Sequence, residues 1–211
     1  MTTMFETYYR CPQCGTAFQS TTIGSCGHAD KWSDLCPDFW GASPRMFFVA
    51  CCPDCGYCDF ANEFEDMPPE TETDVTDPGG DILDRYVKAY EHALSRKKPA
   101  RQLADYAVQV AWCRHDEDDD ADSPTLKKYR EAAVFHFEEA LGEGEVEEEE
   151  MPTIHYLIAE FSRQNGDFEK AKKHLDKIPD DAGIAEAAPH LRKHAEAEDS
   201  EPYRLGEEKA D

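Results

Sequence analysis

Two pentapeptides, CPQCG at residues 11–15 and CPDCG at residues 52–56, decide how the first part of this chain folds. In each, a C-x2-C turn holds two sulfur atoms close together, and the glycine after the second cysteine permits the positive φ that such a turn needs. We call each turn a knuckle. Two knuckles supply the four ligands of one tetrahedral site, so the sequence predicts metal binding by Cys11, Cys14, Cys52 and Cys55.

Zinc, as one structural ion, is the metal that this ligand set favours. Four thiolates are typical of structural zinc sites and leave no coordination position open for a reaction. A rubredoxin-like iron centre uses the same geometry, so the spacing does not exclude iron. Thiol–disulfide chemistry is a further alternative, but there the first cysteine begins a helix. Here a glycine and a strand-like segment follow each knuckle.

Strand-forming residues flank both knuckles. Residues 5–10 and 16–23 surround the first knuckle, and residues 45–50 and 57–61 surround the second. All four segments are rich in aromatic or β-branched residues. We therefore predict two β-hairpins that face each other across one ion, which together form a zinc-ribbon-like module at residues 1–66.

The composition changes twice beyond this module. Residues 67–80 are rich in acidic residues, proline and glycine, which predicts a linker. Residues 81–197 have the 3.6-residue periodicity of amphipathic helices, and residues 198–211 form a polar tail. The predicted fold class is α+β, with a small β-module followed by an all-α domain.

Apolar residues at helical spacing mark six segments within residues 81–197, and the first two predict an antiparallel pair. Residues 155–178 fit the spacing of a tetratricopeptide repeat. Ala159 and Ala171 occupy the positions where small residues let the helices approach, while Ser162 stands where an aromatic residue is usual. We therefore predict a tetratricopeptide-like helical array.

The order of these motifs resembles an uncharacterised bacterial family, domain of unknown function 2225. In that family, two CPxC knuckles precede tetratricopeptide-like helices. Besides the knuckles, the segment Ser33-Asp34-Leu35-Cys36 is similar to a recurring Asp-Leu-Cys element, and FSRQNGDF at residues 161–168 matches the helical part. The chain departs from the pattern at Cys58, where Ala is usual, and at the insertion Cys26-Gly27-His28. The resemblance implies an architecture but no activity.

Other cysteine and histidine residues were considered for a second site. A second metal site or a redox-sensing thiol could draw on Cys26, His28, Cys36, Cys51 and Cys58. Their spacing matches no zinc pattern, so small buried side chains are the favoured interpretation. His190 and His194 lie four residues apart, but no third metal ligand accompanies them. The acidic run 116–122 could suggest a calcium site, but it lacks the glycine and the glutamate of an EF-hand loop.

Charge and targeting signals restrict the classes of partner. The 22 basic and 46 acidic residues give a net charge of −24, which opposes binding to nucleic-acid phosphates and to acidic membranes. Residues 1–66 carry three basic and nine acidic residues, so 3 − 9 gives a net charge of −6 for this segment.

The N-terminus lacks the pattern of a secretory signal, and no apolar run is long enough to span a bilayer. Nine cysteines without an export signal fit a reducing cytoplasm better than a disulfide framework.

These observations favour an interaction protein over an enzyme. No nucleophile–base pair, phosphate-binding glycine loop or HExxH motif occurs, so we expect no catalysis. The leading hypothesis is a cytoplasmic, zinc-containing interaction or scaffold module whose helical domain receives an unidentified protein or peptide. The alternatives are a nucleic-acid-binding zinc ribbon, which the acidity disfavours, and a thiol redox sensor that uses the knuckle cysteines.

Overall fold

The computed structural model describes residues 3–41, 43–69, 71–116 and 123–206. The chain divides into two compact units. The first comprises residues 1–29 and 39–98, and the second comprises residues 30–38 and 99–211.

Seven short strands lie in the described part of the first hundred residues. In chain order they are β1 (Thr3–Arg10), β2 (Ala17–Ser25), β3 (His28–Lys31), β4 (Pro37–Phe39), β5 (Val49–Cys51), β6 (Cys58–Phe60) and β7 (Glu65–Asp66). β1 pairs antiparallel with β2 on one edge and with β7 on the other, and β5 pairs antiparallel with β6. The chain leaves the first unit within β3 and returns to it within β4. Each knuckle connects the two strands of a hairpin, as predicted, but most of the strand expected at residues 45–50 is replaced by a 3-10 helix at Pro44–Phe47, where Ser43 caps the turn and Pro44 opens it.

A small aromatic core joins the two hairpins of the first unit. Tyr9, Phe18 and Tyr57 each lie against Phe64, with ring centroids 5.5 to 5.7 Å apart. The buried cluster consists of Tyr9, Cys11, Phe18, Ala50, Cys52, Tyr57 and Phe64. The first cysteine of each knuckle is thus part of the hydrophobic core.

The first helix, α1 (Ile82–Ser95), belongs to this unit and packs against β5 and β6. Tyr86 on its buried face donates a hydrogen bond to the carbonyl of Arg45 at 2.9 Å. His92 stacks on Tyr57 with centroids 4.9 Å apart, and its Nδ1 lies 3.2 Å from the amide of Cys58. α1 therefore covers a hairpin too short to bury its own apolar side chains.

The segment between β7 and α1, predicted as a linker, is bound along β2 of the first unit. Gln19 exchanges backbone hydrogen bonds with Val75 and Asp77 at 2.9 and 2.7 Å. The carboxylate of Asp77 forms an ion pair with Arg85 at 2.8 Å and accepts a hydrogen bond from the amide of Cys51 at 3.0 Å. Asp77 therefore connects β2, the second hairpin and α1.

The second unit contains the remaining described α-helices. They are α2 (Ala100–Ala111), α3 (Pro124–Glu143), α4 (Met151–Gln164), α5 (Phe168–Leu175) and α6 (Ala188–Glu196). Each packs against the next along the chain. Ser123 caps α3 and Asp167 caps α5, each accepting a hydrogen bond from a backbone amide of the first turn. The α+β class is confirmed.

The close helix approach expected from the repeat spacing is present. Ala159 on α4 and Ala171 on α5 are both fully buried. The cluster around them consists of Tyr156, Ala159, Ala171, Leu175, Leu191 and Ala195. Small side chains at the crossing let α4 and α5 pack tightly while larger ones fill the space around it.

The segment between β3 and β4 is buried within the second unit. The hydroxyl of Ser33 donates to Glu160 at 2.6 Å, and Glu160 forms a fully buried ion pair with Arg163 at 2.8 Å. Asp34 lies 2.8 Å from Nε2 of His115. Burial opposes the charge of Asp34, but its interactions with His115, the amide of Cys36 and Arg114 together outweigh burial and lower the pKa of the carboxyl. The Asp-Leu-Cys element thus anchors this segment to the helices.

The sequence predicts four segments, at residues 1–66, 67–80, 81–197 and 198–211. The two compact units of the structure have different boundaries. Residues 67–80 and α1 belong to the first unit, and residues 30–38 belong to the second. Of the first two helices, which the sequence predicts as a pair, α1 belongs to the first unit and α2 to the second. The described part of the tail is packed too, since the carbonyl of Tyr203 accepts a hydrogen bond from Ser33 at 2.7 Å.

Asp77→Ala should destabilise the first unit by about 3 kcal/mol, because it leaves the buried guanidinium of Arg85 without its carboxylate. Urea unfolding followed by circular dichroism measures this loss. Asp74→Ala is the matched control, since Asp74 is an exposed carboxylate in the same segment. Equal stability of the two variants would show that Asp77 does not anchor the segment.

Candidate metal centre

The two knuckles have the same backbone structure. Gly15 donates its amide to the carbonyl of Cys11 at 2.9 Å, and Gly56 donates to the carbonyl of Cys52 at 3.0 Å. Both glycines have positive φ, +80° and +74°. An L-side chain rarely adopts this conformation, so glycine is what allows each turn to close.

The four predicted ligands meet in one place. The Sγ atoms of Cys11 and Cys55 are 3.6 Å apart, as are those of Cys14 and Cys52. All four sulfur atoms lie within 4.8 Å of one another. A tetrahedral ion with metal–sulfur bonds of about 2.3 Å places its sulfur atoms roughly 3.8 Å apart. The four cysteines therefore fit a four-thiolate metal site after small shifts.

In each knuckle the first cysteine is buried and the second is exposed to solvent. Cys11 and Cys52 are each 1% exposed, whereas Cys14 and Cys55 are exposed. An ion held by the four sulfur atoms would lie at the edge of the aromatic core. It would therefore fix the relative position of the two hairpins from the solvent side.

The thiols differ in how readily they ionise. Hydrogen bonding with Thr16 lowers the pKa of Cys14 to about 7. Desolvation raises the pKa of Cys55 to about 12 and also raises the pKa of Cys52. A cation is therefore needed to hold Cys52 and Cys55 as thiolates near neutral pH, because its charge offsets their desolvation.

A contact that the sequence analysis did not single out joins the two knuckles. Thr16 donates its hydroxyl to the carboxylate of Asp54 at 3.0 Å, while the Sγ of Cys14 lies 3.3 Å from the same hydroxyl. Arg10 donates to the carbonyl of Gly15 at 3.3 Å and pairs with Glu65 at the same distance. Their positions beside the knuckle cysteines were the only signal for these residues in the sequence.

The remaining cysteines have different environments. Cys51 and Cys58 face each other in the β5–β6 pair and form a disulfide. The interpretation of Cys51 and Cys58 as free, small buried side chains is therefore corrected, because directly opposite positions on antiparallel strands bring two side chains together. Cys26 is exposed, and Cys36 and Cys113 are buried.

No second group of three or more Cys, His, Asp or Glu side chains reaches a common ion among the residues that the structure describes. His194 instead pairs with Asp199 at 2.8 Å and stacks on Tyr203 with centroids 4.1 Å apart. Most of the acidic run considered for calcium, residues 117–122, lies outside the described residues.

The sequence profile of the family described as "Uncharacterized protein conserved in bacteria (DUF2225)" matches residues 4–78 and 81–199. The chain belongs to this family. The match includes both knuckles and the helices of the second unit, so the resemblance inferred from the motifs is confirmed. No curated protein and no solved structure matches the chain. The family description assigns no activity, so any function has to be argued from the residues themselves.

None of the helices in the described ranges combines the length and the apolar character that crossing a membrane requires.

Titration of the thiols should show whether Cys51 and Cys58 are joined in a disulfide. With nine cysteines and one disulfide, 9 − 2 gives seven reactive thiols in unfolded, chelator-treated protein without reductant. Prior reduction should raise the count to nine, and the double variant Cys51→Ser, Cys58→Ser should give seven under both conditions. Nine thiols without reduction would show that Cys51 and Cys58 are not joined in the isolated protein.

Proposed function

We propose that this chain is a non-catalytic zinc protein that serves as a protein–protein interaction or scaffold module. In this proposal the first unit is held by one structural zinc ion, and the second unit receives a protein or peptide partner. The observation that carries the proposal is the convergence of four cysteine sulfur atoms within 4.8 Å.

The chemistry of the ligand set supports a structural role for the ion. Four thiolates fill a tetrahedral coordination sphere, so a substrate has no position at which to bind the metal. Cys11 and Cys52 also belong to the core of the first unit. An ion bound by residues of the core stabilises the fold itself, as in small zinc domains.

The helical unit supports the interaction role. Its helices pack in sequence, with Ala159 and Ala171 at the tight crossing expected of a tetratricopeptide-like pair. Arrays of this kind present grooves between successive helices, and these grooves are commonly used to bind extended segments of other proteins. We assign partner binding to this unit for that reason.

A nucleic-acid-binding ribbon is the less favoured alternative. Phosphate recognition requires free Lys or Arg side chains near the ribbon. Arg10, which lies next to the first knuckle, is paired with Glu65, and Asp54 lies at the tip of the second knuckle. The net charge of −6 over residues 1–66 adds to this unfavourable environment.

A redox role for the knuckle cysteines is the other alternative. Reactive cysteines of this type usually begin a helix, whose N-terminus stabilises the thiolate. Cys11 follows the end of β1 and Cys52 follows the end of β5, so neither knuckle lies at a helix N-terminus. This placement favours metal binding over thiol exchange.

Cys52→Ser should abolish zinc binding and unfold the first unit, because a structural zinc ion contributes about 10 kcal/mol or more to such a fold. Metal analysis of the purified wild type should give about one zinc ion per chain, and circular dichroism should report the loss of structure in the variant. Cys26→Ser is the matched control, since Cys26 is an exposed free cysteine in the same unit. A wild-type chain that is folded without any metal would contradict the proposal.

Partner capture tests the interaction role and should use the full chain, because residues 30–38 are part of the helical unit. We expect a partner that crosslinks to residues 99–206. Tryptic mapping of the crosslinks measures this result. Absence of any partner above background across several salt conditions would count against the proposal.

A further inference from the structure

The outer edge of β1 in the first unit is open over more than half of its length. β1 pairs with β2 along its whole length, but β7 covers only Tyr9 and Arg10 on the opposite edge, and the amide of Met67 donates to the carbonyl of Tyr8 at 2.8 Å. Among the described residues, no backbone hydrogen bond reaches this edge at residues 3–7. We call residues 3–7 the open edge, because an uncovered edge of this kind is a template for another strand.

The neighbouring contacts show which backbone groups of the open edge point outward. Gln19 lies opposite Tyr8 and uses its own amide and carbonyl to bind residues 75–77 on the far side of β2. Tyr8 and Gln19 therefore form a non-hydrogen-bonded pair of the hairpin, in which the carbonyl of Tyr8 points away from β2. Since the direction alternates along a strand, Met4 and Glu6 also point their amide and carbonyl groups outward.

Two large apolar side chains on the open edge are exposed. Met4 is 56% exposed and Phe5 is 58% exposed, on opposite faces of the strand. The ring of Phe5 lies against the backbone of Gly24, where a Cβ atom would stand only 2.0 Å from the ring. The glycine therefore lets the ring rest on β2, which holds Phe5 in place while leaving it mostly exposed.

The open edge lacks the features that usually prevent strand pairing. Natural edge strands are protected by proline, by lysine or by a covering segment. Residues 3–7 contain no proline and no lysine, and Glu6 is the only charged residue among them. The outer edge of β2 is covered instead, by residues 75–77 at Gln19 and by the 3-10 helix Pro44–Phe47 near Thr21.

From these features we infer that the open edge binds the open edge of a second copy of this chain, so that two β1 strands pair antiparallel about a two-fold axis at Phe5. Residues opposite each other in such a pair lie on the same face of the sheet, so the axis passes through a residue position. The register centred on Phe5 is the one that pairs all of residues 3–7 with residues 3–7 of the second copy. Residues 65–67 cover the edge beyond it in each copy.

This register gives each group of the open edge a matching group. Met4 lies opposite Glu6 of the second copy, and their outward amide and carbonyl groups form two hydrogen bonds, while the symmetry-related pair forms two more. Phe5 lies opposite Phe5 of the second copy in a non-hydrogen-bonded pair, where side chains are closest. A register centred on Glu6 would oppose two carboxylates, which is destabilising. The self-complementary match is the reason for assigning a second copy as the occupant.

Sedimentation velocity of the full chain tests the inference. We expect a monomer–dimer equilibrium that shifts toward the dimer as the protein concentration rises. Glu6→Pro should raise the dimer dissociation constant at least about tenfold, because each copy loses one outward amide while the bonds to β2 remain. Glu6→Gln is the matched control, since it removes the charge but keeps the amide, and it should retain the dimer. A wild type that stays monomeric, or a dimer that is equally stable in Glu6→Pro, would overturn the inference.

Cysteine crosslinking tests the register and does not depend on the folding of Glu6→Pro. The background is Cys26→Ser, which removes the exposed cysteine outside the knuckles and should give no covalent dimer by itself. Adding Phe5→Cys places two thiols opposite each other at a distance that a disulfide spans, so oxidation with diamide should link the two copies. Thr3→Cys alone should not link, because Thr3 faces Thr7 of the second copy, whereas a mixture of Thr3→Cys and Thr7→Cys should. Equal linking of Phe5→Cys and Thr3→Cys would overturn the inference.

The salt dependence of the dimer provides an independent test. Each copy carries a net charge of −24, so screening reduces the repulsion between two copies. An interface of backbone hydrogen bonds and apolar side chains should therefore become tighter as the salt concentration rises. A dimer that dissociates when salt is added would be held by ion pairs and would contradict pairing through the open edge.

Discussion

The first unit depends on the meeting of four cysteine sulfur atoms from two knuckles that lie 41 residues apart in the sequence. Cys11 and Cys52 are both ligand candidates and core residues, so metal binding and hydrophobic burial act on the same part of the fold. The core cluster to which they belong contains seven buried residues among those described, the two cysteines included. A core of this size provides little stability by itself, which is why an ion is an effective way to hold the hairpins together.

Two further contacts extend the first unit beyond the knuckles. Asp77 binds Arg85 and the amide of Cys51, and it thereby fixes the segment before α1 and the hairpin that carries the second knuckle. The helix α1 then covers β5 and β6.

The second unit has its own buried polar network, in which Glu160 binds both Ser33 and Arg163. Burial opposes the charge of Arg163, but its interactions with Glu160, Tyr203 and Asp199 together outweigh burial and raise the pKa of the guanidinium.

The sequence alone predicts the features that depend on residues close to one another in the chain. The knuckle turns follow from the spacing of cysteine and glycine. The close packing of Ala159 and Ala171 follows from the repeat spacing. The same spacing singled out Ser162 as a departure from the repeat pattern, and the structure shows that this residue is buried in α4.

The sequence was insufficient where distant residues meet. An acidic segment with proline and glycine has the composition of a linker, and nothing local reveals that Asp77 pairs with Arg85 on the next helix. Amphipathic periodicity predicts that α1 is a helix with one apolar face but not that this face packs on a β-hairpin. The Cys51–Cys58 disulfide depends on the register of β5 and β6, which the spacing of the two cysteines does not specify.

The central claim is that both knuckles bind a single ion through sulfur alone. X-ray absorption spectroscopy at the zinc edge of the purified full chain tests it most directly. The account predicts about one zinc ion per chain with four sulfur neighbours at about 2.3 Å and no nitrogen or oxygen ligand. A spectrum with two sulfur neighbours and lighter ligands, or a folded protein without bound metal, would contradict the claim.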